Sequence, residues 1–203
     1  MLSTTTFYVV AAVVGYLAGS IPFGLILTRI AGAGDIRAIG SGNIGATNVM
    51  RTGRKGLAAG TLLLDALKGI AVVLMGATQS VDIAAIAGLA AVIGHNFPVW
   101  LKFKGGKGVA TTVGVLLAIS WPVGVAFCAT WLGVFAVSRY SSLGALVALA
   151  LAPVYAYLLS NVSVTVLAAI LAVLGIARHH ANIRRLLRGE ESRFTRKRPD
   201  DTR

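Results

Sequence analysis

Charged residues, and acidic ones above all, are scarce in this sequence. Only 13% of its 203 residues are charged, whereas a soluble domain usually carries about 25%. Hydrophobic residues make up 56% of the chain, and the mean hydropathy is +0.80. This composition excludes an ordinary soluble protein. It predicts one integral membrane domain over residues 1–203, because the polar segments are too short to form another domain.

Cysteine is also nearly absent. The single cysteine, Cys128, lies in an apolar run and has no partner for an intrachain disulfide. The three histidines are accompanied neither by a cluster of carboxylates nor by paired cysteines, the groups that complete most protein metal sites. We therefore expect no metal site and no cofactor.

The first 28 residues lack any charged side chain, so they lack the basic n-region of a signal peptide. The run from Phe7 to Thr28 is long enough to cross a bilayer, which requires about 20 apolar residues. We interpret this run as a permanent first span. The sequence also lacks heptads and tandem repeats.

Further apolar stretches lie at residues 57–81, 83–101, 108–138 and 140–177. The last of them is too long for one crossing and is divided by the polar segment Ser160–Ser163. The stretch before it is either one long tilted helix or two short helices broken near Ser120–Pro122. With both breaks, the sequence predicts an all-α polytopic bundle of seven membrane segments, in which the fourth and fifth are short.

Basic residues decide the orientation of this bundle, because loops rich in lysine and arginine stay in the cytoplasm. With two segments in 108–138, 18 of the 19 basic residues fall on one side, and Lys68 is the remaining one. We therefore expect the N-terminus outside and the C-terminus inside, with a basic cytoplasmic tail at about 184–203. Such a tail fits anionic lipid headgroups, and no nucleic-acid partner is expected.

The first of three polar stretches runs from Gly40 to Asn48 and is followed by Arg51. Glycines permit sharp turns that expose backbone amides, and successive amides form an anion-binding concavity. Ser41, Asn43 and Thr47 add neutral hydrogen-bonding groups, and Arg51 offers a planar fork for phosphate. The alternative is a flexible connector whose glycines and asparagines only make turns.

The second stretch, Lys104–Thr111, is similar to a phosphate loop. It does not match the nucleotide-binding motif, because Gly108 follows Lys107 where serine or threonine is required. Nucleotide hydrolysis is thereby disfavoured. Glycine amides, two lysines and the start of a helix at Val109 are still sufficient to bind a simple phosphate. The alternative is a basic anchor that only fixes the topology.

The third stretch places His179 and Asn182 three residues apart at the end of the last helix, so that both face one site. His180 points roughly 100° away from them.

Ionisable groups inside apolar spans are costly and are often functional. Asp65 and Lys68 stand three residues apart and are expected to pair, with a structural role slightly favoured over a catalytic one. His95 is expected to be a hydrogen-bonded structural histidine.

Together, these stretches resemble the bacterial acyl-phosphate:glycerol-3-phosphate acyltransferase family of integral membrane enzymes. The resemblance covers nearly the whole chain. Besides the first two stretches, the matching motifs are Gly19–Gly24, Gly94–Trp100, Ser141–Gly144 and Arg178–Ile183. It implies transfer of a fatty acyl chain from acyl phosphate to the 1-hydroxyl of sn-glycerol 3-phosphate, which yields lysophosphatidic acid and phosphate for phospholipid biosynthesis.

The resemblance also implies which residues form the site. The catalytic set is Ser41, Arg51, His179 and Asn182. The substrate-binding set is Gly42, Asn43, Asn48, Lys104, Gly105, Gly106, Lys107, Gly108 and Ser142. Glu191 corresponds to a structural acidic residue of the family. The implied partners are the two substrates, membrane lipid and an enzyme that produces acyl phosphate. The implied location is the inner membrane of a bacterium, with the active site at its cytoplasmic face.

This reaction fits the residues. An acyl phosphate is a mixed anhydride with a good leaving group, so no covalent enzyme intermediate is needed. The site must align the hydroxyl with the carbonyl, stabilise the developing oxyanion and provide a proton acceptor. His179 or a substrate phosphate is that acceptor.

Two alternatives remain. One is a small transporter of an organic phosphate anion, because broken helices and intramembrane charges also build transport sites. The clustering of the polar motifs on one side, and two halves that do not repeat, disfavour it. The other is a scaffold that holds lipid-synthesis enzymes, which leaves the Gly40–Asn48 stretch unexplained.

Overall fold

The computed structural model describes residues 3–194, and every regular element in this range is helical. The α-helices are α1 (Thr4–Gly19), α2 (Phe23–Ile30), α3 (Ala46–Met50), α4 (Lys55–Ala77), α5 (Val81–Asn96), α6 (Val109–Ile119), α7 (Trp121–Ser138), α8 (Ser141–Leu159), α9 (Val162–Arg178) and α10 (His180–Leu187). Two 3₁₀ turns, Ile36–Ala38 and Val99–Leu101, lie in the connections. The end of the predicted basic tail, residues 195–203, lies outside the described residues.

Within residues 3–194, five helical units are long and apolar enough to cross a membrane: α1 with α2, α4, α5, α7 and α8. A sixth is reached if α9 and α10, bent by 61°, count as one unit. Helix α6 has 11 residues and measures about 17 Å, which is short of a hydrocarbon core of about 30 Å. The all-α membrane bundle is therefore confirmed, whereas seven crossings stay a prediction.

The predicted break inside 108–138 is present, but it divides the stretch unequally. Helix α6 ends at Ile119 and α7 begins at Trp121, with Pro122 in its first turn. Proline is tolerated there because the backbone N–H groups of the first turn make no intrahelical hydrogen bond that could be lost. Helix α7 consequently has 18 residues, and the expectation of a short fifth segment was wrong.

Small residues let the helices approach one another closely, as is usual in lipid. A Cβ added at Gly19 of α1 would collide with the backbone of Ala91 in α5, and one at Gly114 of α6 would collide with the backbone of Ala66 in α4. The central core contains side chains from every helix from α4 through α9, and Phe127 is among those that are fully buried. This packing gathers the three polar stretches at one end of the bundle.

Candidate functional site

The three polar stretches surround a cavity of about 510 Å³. Nine of the residues predicted for the site line it: Ser41, Asn43, Asn48, Arg51, Lys107, Gly108, Ser142, His179 and Asn182. The other four do not line it. Gly42, Lys104 and Gly105 line a separate groove, and Gly106 is buried against the ring of His95.

Asn48 organises the first stretch. Its buried Oδ1 accepts hydrogen bonds from the amide and hydroxyl of Ser41, at 3.0 and 3.3 Å, and from Arg51 at 3.4 Å. Its Nδ2 donates to the carbonyl oxygen of Ile36 at 2.7 Å. Gly40 makes the turn possible, because its φ of 55° is one that residues with a Cβ rarely adopt. Asn48 therefore fixes Ser41 and Arg51 at the rim of the cavity.

The second stretch differs from the predicted cradle of glycine amides. The amide of Gly105 donates to the carbonyl of Asn96 at 3.2 Å, and that of Gly106 donates to the carbonyl of His95 at 3.0 Å. Their own carbonyls accept from the guanidinium of Arg178 at 3.1 Å. These two amides are thus already occupied within the protein and are not free to bind an anion.

Lys107 and the start of α6 carry the cationic part of this stretch. Burial lowers the pKa of Lys107 to about 8, although nearby Glu191 opposes the shift. Gly108 precedes α6 with φ 78°, and Val109 and Ala110 also line the cavity. The first amides of a helix lack intrahelical acceptors and attract anions. An ammonium group and a helix N-terminus thus meet on one wall of the cavity.

The third stretch is a bend and not the end of one straight helix. His179 stands between α9 and α10 and is only 2% exposed. Its Nδ1 lies 2.7 Å from the carbonyl oxygen of Gly175. Because a carbonyl can only accept, Nδ1 carries the proton, and in the neutral ring Nε2 is left as an acceptor. His180 is exposed and does not line the cavity, as predicted.

Glu191 ties this bend to the rest of the site. One carboxylate oxygen accepts from Ser142 Oγ at 2.7 Å and from Asn182 Nδ2 at 2.6 Å, and the other accepts from Arg185 Nε at 2.6 Å. These three bonds fit the structural role expected for Glu191. Asn182 Oδ1 is buried and finds no hydrogen-bond partner among the described residues, so it is open to a ligand in the cavity.

A buried ionic cluster lies beneath the cavity. Lys68 Nζ is 2.8 Å from Asp65 Oδ1, which confirms the predicted pair, and it lies 3.0 Å from His95 Nδ1. It also donates to the carbonyl of Ile21 at 3.0 Å. Asp65 and His95 both line the cavity, and neither was in the predicted site. The signals in the sequence were the ionisable groups within two apolar spans and, for His95, its place in the Gly94–Trp100 motif.

A model of the glycerol-3-phosphate acyltransferase family matches residues 9–189. The chain belongs to this family. A glycerol-3-phosphate acyltransferase of Rhodospirillum rubrum is 59% identical over 194 residues, which cover 91% of this chain and 90% of the relative. One of Paramagnetospirillum magneticum is 62% identical over 187 residues, with 92% and 93% covered. Family membership confirms the resemblance seen in the motifs and disfavours the transporter and scaffold alternatives.

Two solved structures of the family share the fold. One is a crystal structure of PlsY (YgiH), an integral membrane glycerol 3-phosphate acyltransferase, in its glycerol 3-phosphate form. It has a TM-score of 0.88 and 39% identity, over 93% of this chain and 96% of that one. The lysophosphatidic acid form has a TM-score of 0.84 and 37% identity, over 93% and 95% of the chains. The bundle is thus an integral membrane fold of this family.

Proposed function

We propose that the cavity transfers a fatty acyl group from acyl phosphate to the 1-hydroxyl of sn-glycerol 3-phosphate, giving lysophosphatidic acid and inorganic phosphate. One observation carries this proposal: the same cavity joins a polar end, with Arg51, Lys107 and His179, to an apolar wall from α4, α6 and α7. Leu62, Val113 and Leu132 belong to that wall. A polyanionic substrate and an acyl chain therefore find matching surfaces next to each other.

The cationic groups bind the phosphates in this proposal. Arg51 presents a planar fork that suits phosphate oxygens, and Asn48 holds it in place. Lys107 acts together with the N-terminus of α6. A bound phosphate dianion would favour the protonated form of Lys107, and this offsets the effect of burial on its pKa.

Acyl transfer then needs one proton acceptor and no cofactor. The 1-hydroxyl oxygen attacks the acyl carbonyl carbon, the bond from that carbon to the phosphate oxygen breaks, and inorganic phosphate leaves. The hydroxyl proton passes to Nε2 of His179 or to a substrate phosphate. Ser41 and Asn182 orient the reacting groups by hydrogen bonding.

The test is a donor assay with purified protein in detergent and labelled glycerol 3-phosphate. We expect labelled lysophosphatidic acid with acyl phosphate, and little or none with acyl-CoA of the same chain length. Vesicles without any acyl donor are the control for transport, and they should accumulate no label. Efficient turnover with acyl-CoA but none with acyl phosphate would contradict the proposal.

The proposed setting is the inner membrane of a bacterium, with seven segments, the N-terminus outside and the reaction at the cytoplasmic face. An enzyme that makes acyl phosphate would supply the donor there. The support for this orientation is the gathering of 18 of the 19 basic residues on one side of the predicted topology.

Cysteine labelling tests this topology in a Cys128→Ala background. A cysteine at Asp82 or Asn161 should react with an impermeant reagent from outside, and one at Lys55 or Lys104 only after the membrane is opened. All four positions are exposed, so a lack of reaction reports sidedness and not burial. Labelling of Lys104→Cys in intact cells would contradict the proposed orientation.

A further inference from the structure

A second groove, of about 610 Å³, shares none of its lining residues with the cavity described above. Four cationic side chains line it, and no carboxylate stands among its lining residues in the described part of the chain. The lining consists of Arg37, Gly42, Trp100, Leu101, Lys102, Phe103, Lys104, Gly105 and Arg178. We call this the headgroup groove. It is separate from the cavity, although its Lys104 and Gly105 belong to the same stretch as Lys107.

Two of the four cations are already paired. Arg37 forms an ion pair with Asp35 at 2.5 Å, and Arg178 donates to the glycine carbonyls of the turn. Lys102 and Lys104 are exposed, and no side chain or carbonyl among residues 3–194 accepts from their ammonium groups. Two ammonium groups, separated by a single residue, are therefore available to an anion.

The turn from Pro98 to Lys104 carries backbone strain. Lys102 and Phe103 both have left-handed conformations, with φ of 51° and 62°, which is unusual for two successive residues that are not glycine. Hydrogen bonds from the Phe103 amide to Pro98, and from the Lys104 amide to Leu101, both at 3.0 Å, hold the turn closed. Backbone outliers of this kind cluster at ligand clamps. Here the turn places five consecutive side chains, Trp100–Lys104, in the lining of one groove.

Two aromatic side chains distinguish this groove from a simple basic patch. Trp100 is 61% exposed and Phe103 is 59% exposed, and both belong to the lining. Tryptophan is enriched at the level of the lipid headgroups because its ring combines an apolar body with a polar N–H, and Phe103 adds a wholly apolar ring to the same lining. A free phosphate has no apolar atoms that could pack against these rings, whereas a phospholipid offers a glycerol backbone and methylene groups.

We propose that the headgroup groove binds the phosphate of an anionic membrane lipid. Lys102 and Lys104 contact the phosphate, and Trp100 and Phe103 contact the glycerol backbone and the first methylene groups. This site does not depend on the reaction proposed for the cavity, because none of these four residues lines that cavity.

Native mass spectrometry of the purified protein in detergent tests this proposal, with phosphatidylglycerol and phosphatidylcholine of identical acyl chains as probes. We expect the protein to retain one phosphatidylglycerol molecule more tightly than phosphatidylcholine. The double variant Lys102→Gln/Lys104→Gln should bind phosphatidylglycerol roughly ten- to thirtyfold more weakly, because each cation near the surface contributes to the attraction of an anionic headgroup. Its affinity for phosphatidylcholine should fall much less, because the choline cation of that lipid offsets the charge of its phosphate.

The matched control is Arg29→Gln/Lys55→Gln, which removes the same charge from exposed positions outside both cavities. It should bind phosphatidylglycerol within about twofold of the unmodified protein. If both double variants lost the same affinity for phosphatidylglycerol, the attraction would come from the overall positive charge and not from a defined site. That result would overturn the proposal. Equal binding of the two lipids would also overturn it.

A competition experiment and a replacement variant address binding of free phosphate and loss of protein stability. Displacement of phosphatidylglycerol by millimolar inorganic phosphate would assign the groove to free phosphate and refute the lipid. If the double variant has a lowered melting temperature, the single variant Lys104→Gln replaces it. Its side chain is exposed, so its fold should be retained, and we expect roughly a fivefold weaker interaction with phosphatidylglycerol.

Discussion

Replacement of His179 by alanine is expected to lower kcat by about 10²-fold or more, with little change in the KM for glycerol 3-phosphate. The ring is buried at the polar end of the cavity, and its Nδ1 is committed to the carbonyl of Gly175. This bond fixes both the tautomer and the ring plane, so that Nε2 is the nitrogen left to accept a proton. An imidazole held in this way is preorganised for the general-base role that we propose for it.

His180→Ala is the matched control, because it removes the same side chain one residue further on. His180 is exposed, and its Nδ1 lies 3.1 Å from the carbonyl of Ala177. The kcat of the His180→Ala variant should stay within about twofold of that of the unmodified enzyme. If His179→Ala kept its kcat and only weakened substrate binding, a substrate phosphate would be the proton acceptor and His179 a ligand for it.

Hydropathy and the placement of polar residues predicted most of the bundle, because lipid leaves a span few choices other than a helix. Both predicted helix breaks are present, at Ser120 and at Ser160–Asn161. The lengths on either side of Ser120 were harder to predict. Proline is favoured in the first turn of a helix, and Pro122 accordingly marks the start of α7 and leaves α6 short, although Pro153 lies within α8. The distribution of basic residues between the two sides of the membrane cannot by itself locate such a break within an apolar stretch.

The glycine turn marks the limit of prediction from a motif. The pattern Gly105-Gly106-Lys107 suggested free amides for a phosphate, but two of those amides bond to the carbonyls of Asn96 and His95. These partners come from the end of α5, and their position depends on tertiary packing. The same packing leaves no room for a Cβ at Gly106, which would collide with the His95 ring. Glycine is required here for close approach within the protein, and Lys107 is the residue that reaches the cavity.

The buried cluster was predictable only in part for the same reason. Helical spacing alone placed Asp65 beside Lys68, since residues three apart share a helix face. No local pattern connects Lys68 with His95 or with the carbonyl of Ile21, because His95 belongs to α5 and Ile21 lies in the break between α1 and α2. The cluster therefore joins α4 to α5 and to the α1–α2 break, directly under the turn that carries Lys107.

Replacement of Lys68 by methionine is expected to destabilise the protein by about 3–5 kcal/mol, the usual cost of removing one partner from a buried ion pair. Methionine keeps most of the apolar stem of the side chain but leaves the Asp65 carboxylate buried without its cation, 3.6 Å from His95 Nδ1. It also removes the donor to the Ile21 carbonyl. Thermal or denaturant unfolding in a single detergent measures the loss.

The double variant Asp65→Asn/Lys68→Met separates the loss of a pair from the creation of an uncompensated charge. It removes the carboxylate together with its cation, and replacing both partners by neutral groups costs far less than removing one. We expect it to recover most of the stability that Lys68→Met loses. If the double variant were as unstable as Lys68→Met, the damage would come from the Ile21 contact and not from an unpaired Asp65. The α1–α2 break, and not the ion pair, would then be the feature that Lys68 maintains.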